Sequence, residues 1–171
     1  IGSVRSHAGL MARLAAASGM RVLGFDYRLA PEHRFPAAPD DAFAVYRALV
    51  EAGDIPLALV GDSAGGALAL GTAIRARDAG LPLPKALVLL SPWLDLTMSG
   101  ESYSALVEQD IFSRPEQLKA MARTYLGRDH APADPTASPV LGDLSGLPPI
   151  LVHAGGADIT LDGQVATVTG V

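Results

Sequence analysis

The chain has 171 residues, of which 49% are hydrophobic and 18% are charged, and its formal net charge is −5. This composition predicts one globular domain with a sizeable core and excludes intrinsic disorder. The absence of cysteine excludes disulfides, thiolate nucleophiles and cysteine-ligated metals, and the mild acidity argues against a nucleic-acid partner.

No stretch of the chain has the eighteen or so unbroken apolar residues of a membrane span. The start of the chain lacks the basic region and apolar core of a signal peptide. We therefore expect a cytoplasmic protein without a membrane span.

Four short apolar runs predict buried strands, at residues 21–27, 57–60, 85–90 and 149–153. Helical periodicity between them predicts helices over residues 6–18, 40–52 and 64–79. Strands that alternate with helices of this length need crossover connections, so the pattern predicts a parallel sheet covered by helices. We expect a single α/β domain over residues 1–171.

Residues 97–148 interrupt this alternation between the third and fourth predicted strands. The segment is polar, contains a predicted helix over residues 115–125, and becomes rich in proline and aspartate near residues 130–135. A long insertion of this kind is either a cap or lid-like excursion that faces substrate or an ordinary surface connection.

Residues 61–66 read Gly-Asp-Ser-Ala-Gly-Gly and lie between a predicted strand and a predicted helix. This G-x-S-x-G context is typical of a nucleophile elbow, in which strained backbone exposes the serine hydroxyl. The elbow brings strand and helix so close together that a Cβ at Gly61 or Gly65 is predicted to clash. The N–H of Ala64, at the helix N-terminus, can then donate to an oxyanion. The alternative is that Ser63 is only a helix N-cap among turn glycines.

Three further segments accompany this motif in order along the chain. They are Asp-Tyr-Arg-Leu-Ala-Pro-Glu-His-Arg-Phe-Pro-Ala-Ala at 26–38, Ser-Pro-Trp-Leu-Asp-Leu-Thr at 91–97, and Ser-Pro at 138–139 with Leu-Ser-Gly-Leu-Pro-Pro at 144–149. Together with Gly-Asp-Ser-Ala-Gly-Gly they resemble the hormone-sensitive-lipase-like carboxylesterases, a branch of the α/β-hydrolases. The resemblance implies an α/β-hydrolase fold with a central, mostly parallel sheet flanked by helices, here truncated at both ends.

The resemblance also implies roles for residues of these segments. Ser63 is the nucleophile, Ala64 supplies an oxyanion N–H, and the surrounding elbow residues hold the turn; these are Gly61, Asp62, Gly65 and Gly66. The segment at 26–38 is mainly structural in such proteins, and Arg28, Glu32 and His33 are predicted to form a polar network there.

The triad acid is expected in the loop after the last predicted strand, because this fold orders its triad as serine, acid and histidine. Asp158 and Asp162 match the spacing of acids in the resembling family. Asp158 is predicted to orient the imidazole and to stabilise its charged form. The alternative for Asp158 is a helix N-cap, and Asp162 is the second candidate, with a structural role favoured.

The catalytic base is the missing part of this triad. The four histidines are His7, His33, His130 and His153, and none follows Asp158. The resemblance places the base in a later loop and ends the oxyanion glycine loop immediately before Ile1, so we expect an internal piece of a longer protein. Without these parts, we expect the 171-residue chain to show little or no esterase activity.

For the complete protein the sequence predicts hydrolysis of short- to medium-chain carboxylic esters. No metal or organic cofactor is implied, and the expected partner is a small-molecule ester. Two alternatives remain open. One is a non-catalytic, receptor-like binding protein, since plant gibberellin receptors resemble the same family. The other is an amidase or peptidase on the same fold.

Overall fold

A computed structural model describes residues 2–170. The helices and strands in that range are α1 (Val4–Ser18), α2 (Ala37–Glu51), β1 (Ala58–Asp62), α3 (Ala64–Asp78), β2 (Ala86–Leu90), α4 (Ser102–Ala105), α5 (Pro115–Leu126), β3 (Ile150–His153) and α6 (Leu161–Thr169). A single 3₁₀ turn at Pro139–Leu141 precedes β3.

The three strands form one parallel sheet in the order β1-β2-β3. Val60 pairs with Val88, and Val88 pairs with Leu151. Helix α3 is the crossover from β1 to β2 and packs on the sheet through Leu70 and Ala73, both fully buried. The predicted fold class, a parallel sheet flanked by helices, is confirmed.

The predicted strand at residues 21–27 is wrong for the described part of the chain. A strand is defined by its hydrogen-bonded ladder, and no neighbouring strand borders this segment within residues 2–170. The apolar residues that suggested a buried strand are instead partly exposed, with Leu23 at 61%. An ion pair between Arg21 and Asp54 ties the start of the segment to the loop after α2.

Helices α1 and α2 begin earlier than the periodicity predicts. A capping box explains the start of α1, because the Ser3 hydroxyl accepts from the Ser6 N–H while the Ser6 hydroxyl accepts from the Ser3 N–H. Helix α2 begins at Ala37 and includes Pro39 in its first turn. Proline is tolerated there, since first-turn N–H groups have no helical acceptor.

The predicted network of Arg28, Glu32 and His33 is also corrected. The Arg28 guanidinium donates to both carboxylate oxygens of Asp41 on α2, at 2.7 and 3.0 Å, and the Arg28 N–H adds a bond of 2.9 Å. Within residues 2–170 neither Glu32 nor His33 bonds the Arg28 side chain. The two parallel N–H···O bonds of guanidinium with carboxylate fix Arg28 on α2.

The insertion at residues 97–148 packs a second apolar cluster against the body of the domain. Its α5 contributes Leu118, Ala122 and Leu126. Trp93, at the start of the segment after β2, is buried in the same cluster, and its indole N–H donates to the Asp95 carbonyl. Of the helices within residues 2–170, none combines the length and the apolar character needed to cross a membrane.

Candidate active site

Ser63 occupies the turn between β1 and α3 with φ 51° and ψ −119°. A positive φ is costly for a residue with a Cβ and persists only where its surroundings fix it. The Ser63 N–H donates to the Leu90 carbonyl at 3.0 Å, and the Ser63 carbonyl accepts from the Trp93 N–H at 3.0 Å. These bonds tie the turn to the end of β2 and the segment after it, while Ser63 itself is exposed.

Gly61 and Gly66 allow this turn, whereas the sequence predicts that Gly61 and Gly65 do so. A Cβ on Gly61 would lie 2.1 Å from the Gly65 carbonyl oxygen, and a Cβ on Gly66 would lie 2.5 Å from the Pro92 Cβ. At Gly65 such a Cβ would have an Asp62 carboxylate oxygen 4.0 Å away as its nearest neighbour outside the helix. Gly65 therefore does not need to lack a side chain, because its backbone is the surface that Gly61 approaches.

The Ala64 N–H is the first of the orphan donors at the start of α3. The helix continues for 15 residues, and within residues 2–170 the Ala64 N–H has no hydrogen-bond acceptor. A helix N-terminus carries partial positive charge, which favours an anion at this position. The geometry fits the donor that an oxyanion next to Ser63 would need.

Asp158 is half-buried in the loop between β3 and α6. Its Oδ1 accepts from the Thr160 N–H at 2.8 Å and the Thr160 hydroxyl at 2.7 Å. Its Oδ2 accepts from the Gln164 amide at 3.0 Å. The residue at the N-cap of α6 is Thr160 rather than Asp158, so the carboxylate stabilises the approach to the helix without capping it.

Asp162, the second candidate acid, has a structural contact. Its Oδ2 accepts from the Ser102 N–H at 2.9 Å, and the Ser102 hydroxyl donates to the Ile159 carbonyl. These bonds join α4 to the start of α6 and support the loop that carries Asp158.

Asp110 supports the same loop from the insertion. Its buried carboxylate accepts from the N–H groups of Phe112, Ser113 and Ile159. Burial opposes its ionisation, but these backbone donors outweigh burial and lower the pKa of Asp110. The loop at 154–160 is thus held from α6 and from the insertion, which includes α4.

A cavity of about 430 Å³ lies between the loop at 109–113 and the loop at 155–158. Ser91, Phe112 and Asp158 contribute to its wall, and Phe112 is 94% exposed. A second cavity of about 350 Å³ is lined in part by α3 and contains none of the candidate catalytic residues.

None of the four histidines contacts the candidate serine or the candidate acid within residues 2–170. His33 and His153 are exposed, and the His130 ring lies edge-on to Phe35 with centroids 4.7 Å apart. None of the histidines hydrogen-bonds the Ser63 hydroxyl or the Asp158 carboxylate in the described part of the chain. Residues 2–170 contain no group of three or more His, Asp or Glu side chains arranged to hold a metal ion.

His7 has a role that the sequence did not predict, since it contacts Asp62 of the elbow. Its Nε2 lies 3.2 and 3.3 Å from the two carboxylate oxygens, and its Nδ1 lies 3.2 Å from the Ser3 carbonyl. The protonated ring donates to both acceptors at once. The hydrogen bond to Asp62 raises the pKa of His7 above its ordinary value, and the bond to the Ser3 carbonyl adds a smaller increase.

The hydrogen bond from the Gln164 amide to the Asp158 carboxylate is a further contact that sequence reasoning missed. The only signal was one large polar side chain in an otherwise small and β-branched segment at residues 163–171.

Comparisons with known proteins cover almost the whole chain. A family model described as alpha/beta hydrolase fold matches residues 1–170. An acetyl-hydrolase of Streptomyces hygroscopicus is 45% identical over 165 residues, covering 95% of this chain and 54% of that protein. An esterase of Acinetobacter venetianus is 42% identical over 164 residues, with the same coverages.

Solved structures give the same result. The crystal structure of an esterase from the bacterial hormone-sensitive lipase family matches with a TM-score of 0.93 at 44% identity, covering 99% of this chain and 58% of that chain. The chain therefore spans about half the length of the curated relatives it matches.

The glycine geometry predicts that alanine substitutions at residues 61 and 65 have very different effects on stability. We expect Gly61→Ala to lower the free energy of unfolding by about 3 kcal/mol or more, because the new methyl meets a backbone oxygen that cannot move aside cheaply. Gly65→Ala should change it by less than about 1 kcal/mol, since the site has room and alanine favours helix. Urea unfolding of both variants in the whole protein checks this, and equal losses would contradict it.

The His7–Asp62 pair predicts a pH-dependent contribution to stability. A raised pKa means that the contribution is complete below the ordinary pKa of about 6.5 and is lost as pH rises through the folded-state value. The pair is partly exposed, so the effect should stay below about 1 kcal/mol. We expect His7→Gln to destabilise the protein more at pH 5.5 than at pH 8.5, as measured by urea unfolding. A pH-independent difference would contradict this prediction.

Proposed function

The chain belongs to the hormone-sensitive-lipase-like branch of the α/β-hydrolase family, and from that premise we propose that the whole protein hydrolyses carboxylic esters with Ser63 as nucleophile. The observation that carries the proposal is the conformation of Ser63, exposed at positive φ between a parallel strand and a helix N-terminus. An N-cap role alone would not need this backbone, since N-caps adopt extended φ and ψ, and the Ser63 side chain caps no N–H of α3.

The proposed reaction is acyl transfer to water. The Ser63 Oγ attacks the ester carbonyl carbon while a histidine takes its proton, and the carbonyl oxygen becomes an oxyanion near the Ala64 N–H. Collapse of the tetrahedral intermediate expels the alcohol, which receives the proton from the histidine. Water then attacks the acyl-enzyme by the same route and releases the acid.

Asp158 is proposed as the acid that orients this histidine. It follows β3, the strand after β2 in the sheet, and so comes after Ser63 as the fold requires. The histidine itself would lie outside residues 2–170, because no described histidine contacts Ser63 or Asp158.

Short- to medium-chain esters are the proposed substrates. The relatives named acetyl-hydrolase and esterase support hydrolysis of small esters over a receptor-like role. An elbow with its serine present supports the same choice, because ligand binding alone requires no nucleophile.

Two substitutions in the whole protein test the proposal. With p-nitrophenyl acetate and butyrate, we expect Ser63→Ala and Asp158→Ala each to lower kcat by about 10⁴-fold or more, because triad members act as a unit. Ser18→Ala, at an exposed serine that ends α1, serves as the matched control and should retain full activity. Wild-type turnover in Ser63→Ala would refute the proposed nucleophile.

The proposal also predicts the behaviour of residues 1–171 expressed alone. Without a base that reaches Ser63, the hydroxyl stays protonated at neutral pH, so we expect a rate at least about a thousandfold below that of the whole protein. The assay is p-nitrophenyl butyrate hydrolysis by the soluble monomeric chain. Turnover within tenfold of the whole protein would show that the chain already contains its base.

A further inference from the structure

We propose that Gln164 is a positioning residue for Asp158, whose carboxylate it orients so that one acceptor site of Oδ2 stays open for the imidazole N–H. This inference rests on the proposed function, because it assigns a partner to the proposed acid.

Three side chains form a closed ring of hydrogen bonds. The Gln164 Nε2 donates to the Asp158 Oδ2 at 3.0 Å and to the Thr160 Oγ1 at 2.6 Å. The Thr160 hydroxyl in turn donates to the Asp158 Oδ1 at 2.7 Å. Both amide hydrogens and the hydroxyl hydrogen are used, so the plane of the carboxylate is fixed from two sides.

The partners determine the orientation of the amide. A carboxylate oxygen only accepts, so the nitrogen rather than the oxygen of the amide must face Oδ2. The Gln164 side chain is fully buried, and its Oε1 has no partner within the described residues. A buried acceptor without a partner is destabilising. A leucine of similar size would fill the same space without an unpartnered acceptor, so what the glutamine adds here is its two donated bonds.

The Asp158 carboxylate keeps one hydrogen-bond acceptor site for the base. Each carboxylate oxygen accepts about two hydrogen bonds. Oδ1 already accepts two, from the N–H and the hydroxyl of Thr160, whereas Oδ2 accepts one, from Gln164. The remaining site on Oδ2 is therefore where an imidazole N–H can donate, and Gln164 determines its direction.

The experiment uses the whole protein, with two variants at Gln164 and one control. In Gln164→Leu the donor is lost, and we expect kcat to fall about ten- to a hundredfold with KM unchanged, because orientation fails while substrate contacts remain. Thr167→Val is the control, since Thr167 is equally buried on α6 but bonds only the Gly163 carbonyl. Its kcat should stay within about twofold, given comparable melting temperatures.

Gln164→Glu supplies a readout that a merely structural role would not move. The introduced carboxyl can donate to Asp158 only while protonated, and burial beside a second carboxylate raises its pKa. The ratio of kcat/KM for this variant to that of the unsubstituted protein should therefore fall at least about tenfold between about pH 6 and pH 9. Other titratable groups near the ring are common to both proteins and cancel in the ratio; they are Asp95, Tyr103, Asp110 and Asp162.

The outcomes separate this inference from the proposed function. If Ser63→Ala or Asp158→Ala keeps full activity, both fail together. If those two variants are inactive while the Gln164→Glu ratio is flat with pH, only the positioning role is overturned, whatever Gln164→Leu does. Should Gln164→Leu prove insoluble, the pH dependence of Gln164→Glu decides alone.

Discussion

The close approach of Gly61 to the carbonyl of Gly65 is the contact on which the site depends. A Cβ at residue 61 would lie 2.1 Å from that oxygen, so the strand and the helix can approach this closely only with glycine there. The approach compresses the connection into a single residue, Ser63, and gives that residue its positive φ. Bonds to Leu90 and Trp93 then hold the turn in place. Strain at Ser63 is thus balanced by the sheet and by the segment that follows β2.

The loop at 154–160, which carries Asp158, is fixed by a different kind of constraint. Three polar side chains hold it. Asp110 and Ser102, both from the insertion, bond the N–H and the carbonyl of Ile159, and Gln164 from α6 bonds Asp158 itself. Because parallel strands end at one edge of a sheet, the loop after β3 lies at the same edge as the elbow after β1. The glycine contact and two backbone hydrogen bonds set the position of Ser63, whereas side-chain hydrogen bonds set that of Asp158.

The sequence predicts the elbow well because its determinants are local: a strand, a glycine-bounded serine and a helix occur within about twenty residues. Prediction fails where the determinant is distant. Residues 21–27 have strand composition, but a ladder needs a neighbour, and none borders them in the described range. The same limit hides the pairing of Arg28 with Asp41, the contact of His7 with Asp62 and the reach of Gln164 to Asp158. The need for glycine at residue 66 rather than at residue 65 depends on Pro92, which follows the end of β2 by two residues and contacts Gly66.

The most direct test of the central claim is covalent labelling of the whole protein with a p-nitrophenyl phosphonate, which phosphonylates only activated serines. Release of p-nitrophenol should stop at one equivalent per chain, and peptide mass spectrometry should place the phosphonyl group on Ser63. Such a result requires an exposed hydroxyl that a base has activated, as the elbow geometry implies. An adduct on a different serine, or none in protein that hydrolyses esters, would contradict the account.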